Sequence, residues 1–207
     1  MRERITDELK HHVPFTAFGA VTGIILMLVI AMTDAIAKVN QVSETIFYII
    51  HPLHVMFSAI VITSMYRKYR PSKVWMAVVV GYIIAVGMAT LSDSVIPYFG
   101  EWTLSLPNRE FHIGFIEEWW LVNPAAFLGI IIGILRPTTR LPHSAHVLIS
   151  TWASLFHFIM ALGASVTGVQ YLIIFGFLFV AVWVPCCLSD IALPLIALGI
   201  NLPHEHA

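Results

Sequence analysis

Charge is what this chain has least of. Asp, Glu, Lys and Arg together make up 11% of its 207 residues, against about a quarter in soluble domains. In their place, 58% of the residues are hydrophobic and the mean hydropathy is +0.85. That balance excludes a water-soluble globular fold. The formal net charge is -1 and no basic stripe or stacking platform is present, which excludes nucleic acid as a partner. The only two cysteines, Cys186 and Cys187, are adjacent inside an apolar run, so there is no disulfide framework. No glycine-rich phosphate loop occurs, and an ATP-driven function would need a partner subunit. Short segments of alternating polarity, the mark of a membrane barrel, are missing too.

What the chain has instead is long apolar runs. Six of them lie near residues 15–34, 45–66, 74–98, 118–135, 144–165 and 169–193, close to the roughly 20 residues a helix needs to cross about 30 Å of hydrocarbon. The fold class read from this is all-α, a polytopic helical membrane bundle of six transmembrane helices forming a single domain over 1–207. Arg2, Arg4 and Lys10 precede the first run, Arg67, Lys68, Arg70 and Lys73 lie between the second and third, and Arg136 and Arg140 between the fourth and fifth. Only Lys38 and Arg109 fall on the other side. Because Lys and Arg bias loops toward the cytoplasm, both termini, the segment 1–13 and the tail 201–207, are expected there. The start MRERITDELKHHVP carries both signs of charge and no small-residue cleavage pattern, so the first span is expected to be retained.

The two halves, 14–98 and 118–200, resemble each other. Leu-Ser-Asp followed by proline occurs at 91–97 and again at 188–194. His-x-x-His-Val-x-x-Ser occurs at 51–58 and 143–150, and AVTGII at 20–25 sits beside AFLGII at 126–131. A unit of three spans crosses the membrane an odd number of times, so its copy would be inverted, the 3+3 plan common among transporters whose site lies near the midplane. Pro97, Pro185 and Pro194 are expected to break helices and expose carbonyls, which is tolerated only where the backbone is buried in protein or lines a cavity.

Ionisable side chains inside spans are costly and count as functional candidates. Here they are His51, His54, Asp93, His146, His157 and Asp190, with Glu117 and Glu118 at a mouth. Residues 51, 54 and 58 share a helix face, and 143, 146, 150, 154 and 157 form a polar stripe. A stripe of this kind on an otherwise apolar helix should face the bundle interior. Sorted by depth at about 1.5 Å per residue, they fall into two groups. The principal site expected is His51, His54, Asp93 and His157. An inner group of His146, Cys187 and Asp190, with His143 and Cys186 nearby, would accept or release the ion. Imidazole, carboxylate and thiolate together suit zinc, iron, copper, nickel or manganese. Glu101, Glu110, Arg109 and His112 read as a solvated loop, and Trp119 and Trp120 as an interfacial anchor.

Asn123-Pro124-Ala125 resembles the aquaporin signature, but no second copy exists and no arginine follows the first. Ser58, Asp93, His51, His54 and His157 supply the residue types used by membrane hydrolases of the alkaline ceramidase and progestin-receptor-like group. The closing histidine pair and seventh span of that group are absent. The expected function is therefore a transporter or channel for a divalent transition-metal ion, with the lipid bilayer and the metal as its partners. A homo-oligomer or a larger membrane complex is compatible with the sequence. Three other uses of the same residues stand beside it: a zinc-dependent lipid hydrolase, a haem-binding electron-transfer subunit, and a structural membrane subunit.

Overall fold

A computed structural model describes residues 2–136, 140–163 and 166–189, together with residue 193. Among them all regular structure is helical. Two long helices come first, α1 (Arg2–Met32) and α2 (Ile36–Tyr69). The turn between them passes through Asp34, whose φ of 52° is left-handed and is tolerated by a short polar side chain. Next, α3 (Val74–Thr90) runs into a π-helical turn, Leu91–Val95, and on into α4 (Ile96–Thr103). The one-turn α5 (Gly114–Glu117) precedes α6 (Trp119–Leu135), α7 (Arg140–Ala161) and α8 (Gly168–Cys187). A reciprocal Thr167–Gln170 capping box starts α8, satisfying donors that the first helical turn would leave orphaned.

Among the described residues, four helical stretches are long and apolar enough to cross a membrane, Val13–Met32, Ile36–Tyr69, Val74–Thr103 and Gly168–Cys186. Trp119–Leu135 and Ala145–Ala161 are apolar but shorter. The helix expected from residue 45 begins at Ile36 instead, so Asn40 and Glu44 are helical rather than in a loop.

The central helix is α2, packed most extensively on α7 and α6 and then on α3, while α1 lies against α8 and α7. Glycines permit the closest approaches. A Cβ at Gly129 would collide with the Met56 carbonyl, one at Gly133 would lie 2.9 Å from the Ile60 carbonyl oxygen, and one at Gly19 would lie 2.7 Å from Thr151 Oγ1. Small residues at interfaces are how helices associate where lipid supplies no hydrophobic drive between them.

The prolines do not break the helices as the sequence suggested. Pro97 sits in the first turn of α4, and α8 continues through Pro185; Pro194 lies outside the described residues. At the first site the chain shifts to i→i−5 bonding, with the Ile96 amide donating to the Leu91 carbonyl. In that register the Ser92 carbonyl would be served by residue 97, which as proline has no N–H. The Ser154 hydroxyl on α7, 3.0 Å away, takes its place. A π turn here is thus fixed from a neighbouring helix, as buried backbone in a membrane requires.

Candidate metal centre

Asp93, on the π turn, is fully buried and is the hub of the interior. Its Oδ2 lies 2.9 Å from His51 Nδ1 and 2.7 Å from His54 Nδ1. Its Oδ1 accepts from the Ser92 hydroxyl at 2.6 Å and the Ser150 hydroxyl at 2.9 Å. An ionised carboxylate only accepts, so each of these imidazole contacts places the proton on Nδ1 and leaves Nε2 as the bare nitrogen. Residues 51 and 54 are three apart on α2 and reach the same oxygen because the helix puts them on one face.

His54 has a second neighbour. Its ring stacks on that of His146 from α7, with centroids 5.7 Å apart and planes 6° apart. The ligating atoms of His54, His146 and the buried Cys186 of α8 all lie within 4.8 Å of one another. With Nδ1 of His54 turned to Asp93, the atom it has for a metal is Nε2.

His51 is stacked instead on Phe47, with centroids 5.2 Å apart. Its Nε2 has no hydrogen-bond partner among the described residues and abuts Gly114, where a Cβ would lie 3.0 Å from it. The same Phe47 ring meets His157 edge-on at 5.5 Å. His157 does not join Asp93. Its Nδ1 is 2.6 Å from Oε1 of the fully buried Glu101 on α4.

Beyond Phe47, towards the 104–118 segment, lies a cavity of about 240 Å³ lined by Glu44, Glu101, Glu110, His112 and His157 among others. Its rim is tied down by amides. Asn40 Nδ2 donates to the Ile159 and Met160 carbonyls at 2.8 and 2.9 Å, and Asn108 Nδ2 to the Leu162 carbonyl at 3.2 Å. Beside it, Glu117 accepts from the Tyr48 hydroxyl at 2.6 Å and the Ile113 amide at 3.0 Å. Burial pushes the Glu117 carboxyl up, but the Tyr48 hydroxyl, the Ile113 amide and the nearby His112 ring outweigh it and hold the group below its ordinary value.

The expected principal site is therefore split. His51, His54 and Asp93 are together, His157 is in a separate pair with Glu101, and His146 meets His54 rather than forming a distinct station. Of the inner group, Asp190 lies outside the described residues, as does the side chain of Cys187. Of the polar stripe of α7, His146, Ser150, Ser154 and His157 are all buried and face the interior, while the side chain of His143 lies outside the described residues. Glu101 reads from the sequence as part of a solvated loop because Pro97 reads as a helix end, but it is helical and fully buried. With the helix continued, Glu101 follows Asp93 by two turns on a related face, which is the signal that would have found it. No protein-family model, curated protein or solved structure matches the chain, so the site is read from its own residues.

Proposed function

We propose that the chain is a six-span membrane transporter or channel for a divalent transition-metal ion, with His54, His146 and Cys186 as its midplane coordination set. The observation that carries this reading is the convergence of three buried ligating side chains from α2, α7 and α8 on one point. Two imidazoles and a thiolate favour zinc and other soft or borderline ions over magnesium and calcium. Tetrahedral zinc, with bonds of about 2.0–2.3 Å, holds its ligands roughly 3.5 Å apart, so a small contraction closes the set. Asp93 acts here as the partner that fixes the tautomer and orientation of His54, an outer contact that tunes the ligand rather than touching the ion. Three protein ligands leave a coordination position through which an ion can be handed on.

The inverted repeat supports the same placement. The two His-x-x-His-Val-x-x-Ser stretches put His54 and His146 in equivalent positions, and these are the two rings that stack. Tyr69 ends α2 as many residues after His54 as Ala161 ends α7 after His146. Leu188 and Ser189 are π-helical like Leu91–Val95, and in both places the serine hydroxyl reaches the carbonyl three residues back, at 3.1 Å from Ser92 and 2.9 Å from Ser189. Pro14, Gly19 and Gly23 of α1 share their spacing with Pro124, Gly129 and Gly133 of α6. Through these glycines α1 meets α7 at Thr151 and Leu155, and α6 meets α2 at Ala59 and Thr63. The first-span match thus lies one helical turn from the pairing of Gly23 with Gly129. A site between equivalent residues of inverted halves is where such folds place their substrate.

The haem reading loses its partner geometry, because Phe47 fills the space between His51 and His157. The hydrolase reading shares the open coordination position and is separated by experiment. In proteoliposomes enclosing a zinc-sensitive dye, the protein should carry Zn²⁺ inward, and His146→Ala and Cys186→Ser should each slow that flux by about tenfold or more, the factor expected for loss of at least about 1.4 kcal/mol of ligation. Flux unchanged in both variants would sink the reading. Stoichiometric bound zinc without flux would favour the hydrolase.

A further inference from the structure

We infer that the cavity bounded by α2, α4, α7 and the 104–113 segment is a second cation site, rich in oxygen donors, that takes up a partly hydrated divalent ion ahead of the midplane set; as a loading station it rests on the transport reading above. Three carboxylates, Glu44, Glu101 and Glu110, and two imidazoles, His112 and His157, line it, and no Lys or Arg does among the described residues. The field inside is therefore that of an uncompensated negative cluster within low-dielectric walls, which concentrates cations.

A cluster of acids alone would be only a solvated surface. What distinguishes this one is that two of its members are deeply buried and each is left with a polar atom lacking any hydrogen bond. Glu101 is 0% and His157 1% exposed, and Glu101 Oε2 and His157 Nε2 have no hydrogen-bond partner among the described residues. Their other atoms are paired with each other at 2.6 Å, which places the proton on Nδ1 and leaves the lone pair of Nε2 in the neutral His157 ring to bind a metal, as Asp93 does for His54. Buried polar atoms without partners carry a desolvation penalty that nothing offsets. A bound cation with its remaining waters would satisfy both. His112 lies next to this pair, its ring centroid 5.4 Å from that of His157 and its Nε2 3.8 Å from Glu110 Oε2.

The chemistry of the two stations differs. The midplane set is nitrogen and sulfur, whereas the cavity offers carboxylate, imidazole and water, donors that accept harder ions such as Mn²⁺. Phe47, fully buried and in ring contact with His51, His112 and His157, stands between them.

The test is equilibrium binding to the full chain in detergent with Mn²⁺ alone, followed in parallel by Zn²⁺ alone. Mn²⁺ should occupy one class of site. Its Kd should rise at least about tenfold, worth about 1.4 kcal/mol, in Glu101→Gln, and several-fold in Glu110→Gln, a substitution at an exposed position that leaves folding intact. Cys186→Ser should leave Mn²⁺ binding unchanged while removing one Zn²⁺ class. Mn²⁺ binding that is absent, or unaffected by both glutamate variants, overturns the cavity site. Zn²⁺ binding untouched by Cys186→Ser, with the Mn²⁺ results as expected, overturns the midplane reading and leaves the cavity site standing.

Discussion

At the scale of single residues, Asp93 decides how the interior works. Two hydroxyls on one oxygen and two imidazoles on the other occupy the roughly four acceptor positions of a carboxylate, which supports the orienting role proposed for it. Asp93→Asn keeps the shape but substitutes an NH₂ that faces donors, and both histidines lose the anion that fixes their tautomer. The expected result is a 10–100-fold weaker Zn²⁺ affinity at the midplane set, in the range found for outer partners of metal ligands, with helical content unchanged. Competition against a chelator of known affinity measures it, and an affinity equal to that of the parent protein would refute the orienting role. The residue types here were legible in the sequence, because charge and imidazole in apolar runs stand out. The partners were not. Counting depth along a helix says how far down a side chain lies and nothing about which face of which neighbour it meets, so His157 was grouped with Asp93 although it pairs with Glu101.

At the scale of elements, the π turn at Leu91–Val95 is the feature that brings Asp93 to His51 and His54 while keeping α3 and α4 continuous. Its stability depends on a donor from α7. Ser154 Oγ lies 3.0 Å from the Ser92 carbonyl and 2.9 Å from its own helix carbonyl at Ser150, and it can give its one proton to either. Ser154→Ala should leave the Ser92 carbonyl unserved and destabilise the fold by about 1–3 kcal/mol. Pro97→Ala restores an N–H on the chain, so in that background the loss of the Ser154 hydroxyl should cost distinctly less. Unfolding in mixed detergent micelles, run as a double-mutant cycle, checks the coupling; strictly additive losses would show that the hydroxyl does not replace the missing amide. The Leu-Ser-Asp-proline repeat pointed to this place from sequence alone. A proline reads as a helix break because its local effect is to remove a bond, and only the facing helix reveals the bond that replaces it.

For the whole molecule, the number of crossings decides whether the two stations form a route. By length and apolarity four stretches qualify as spans, and Trp119–Leu135 and Ala145–Ala161 fall short. Seventeen residues of α6 extend about 25 Å as a helix, a few ångströms less than the hydrocarbon core, a mismatch that local thinning covers at a fraction of a kcal/mol per ångström. α7 lies against α2, the most buried of the candidate spans, and its stripe of buried His and Ser faces inward, which supports the proposal that it crosses alongside α2. If all six cross, as proposed, the bias of Lys and Arg puts the 70–73 turn on the cytoplasmic side and the 104–113 segment with its acidic cavity on the other. Cysteine labelling in intact cells, in a background with Cys186 and Cys187 replaced by serine, should modify a cysteine placed at Ser105 with a membrane-impermeant reagent and spare one placed at Ser72. Labelling of Ser72 alone would put the cavity on the wrong side for uptake from outside and reverse the direction in which Glu101, His157, His54 and Cys186 could hand an ion along, whereas labelling of both would put the two positions on one side and refute the crossing of Val74–Thr103 between them.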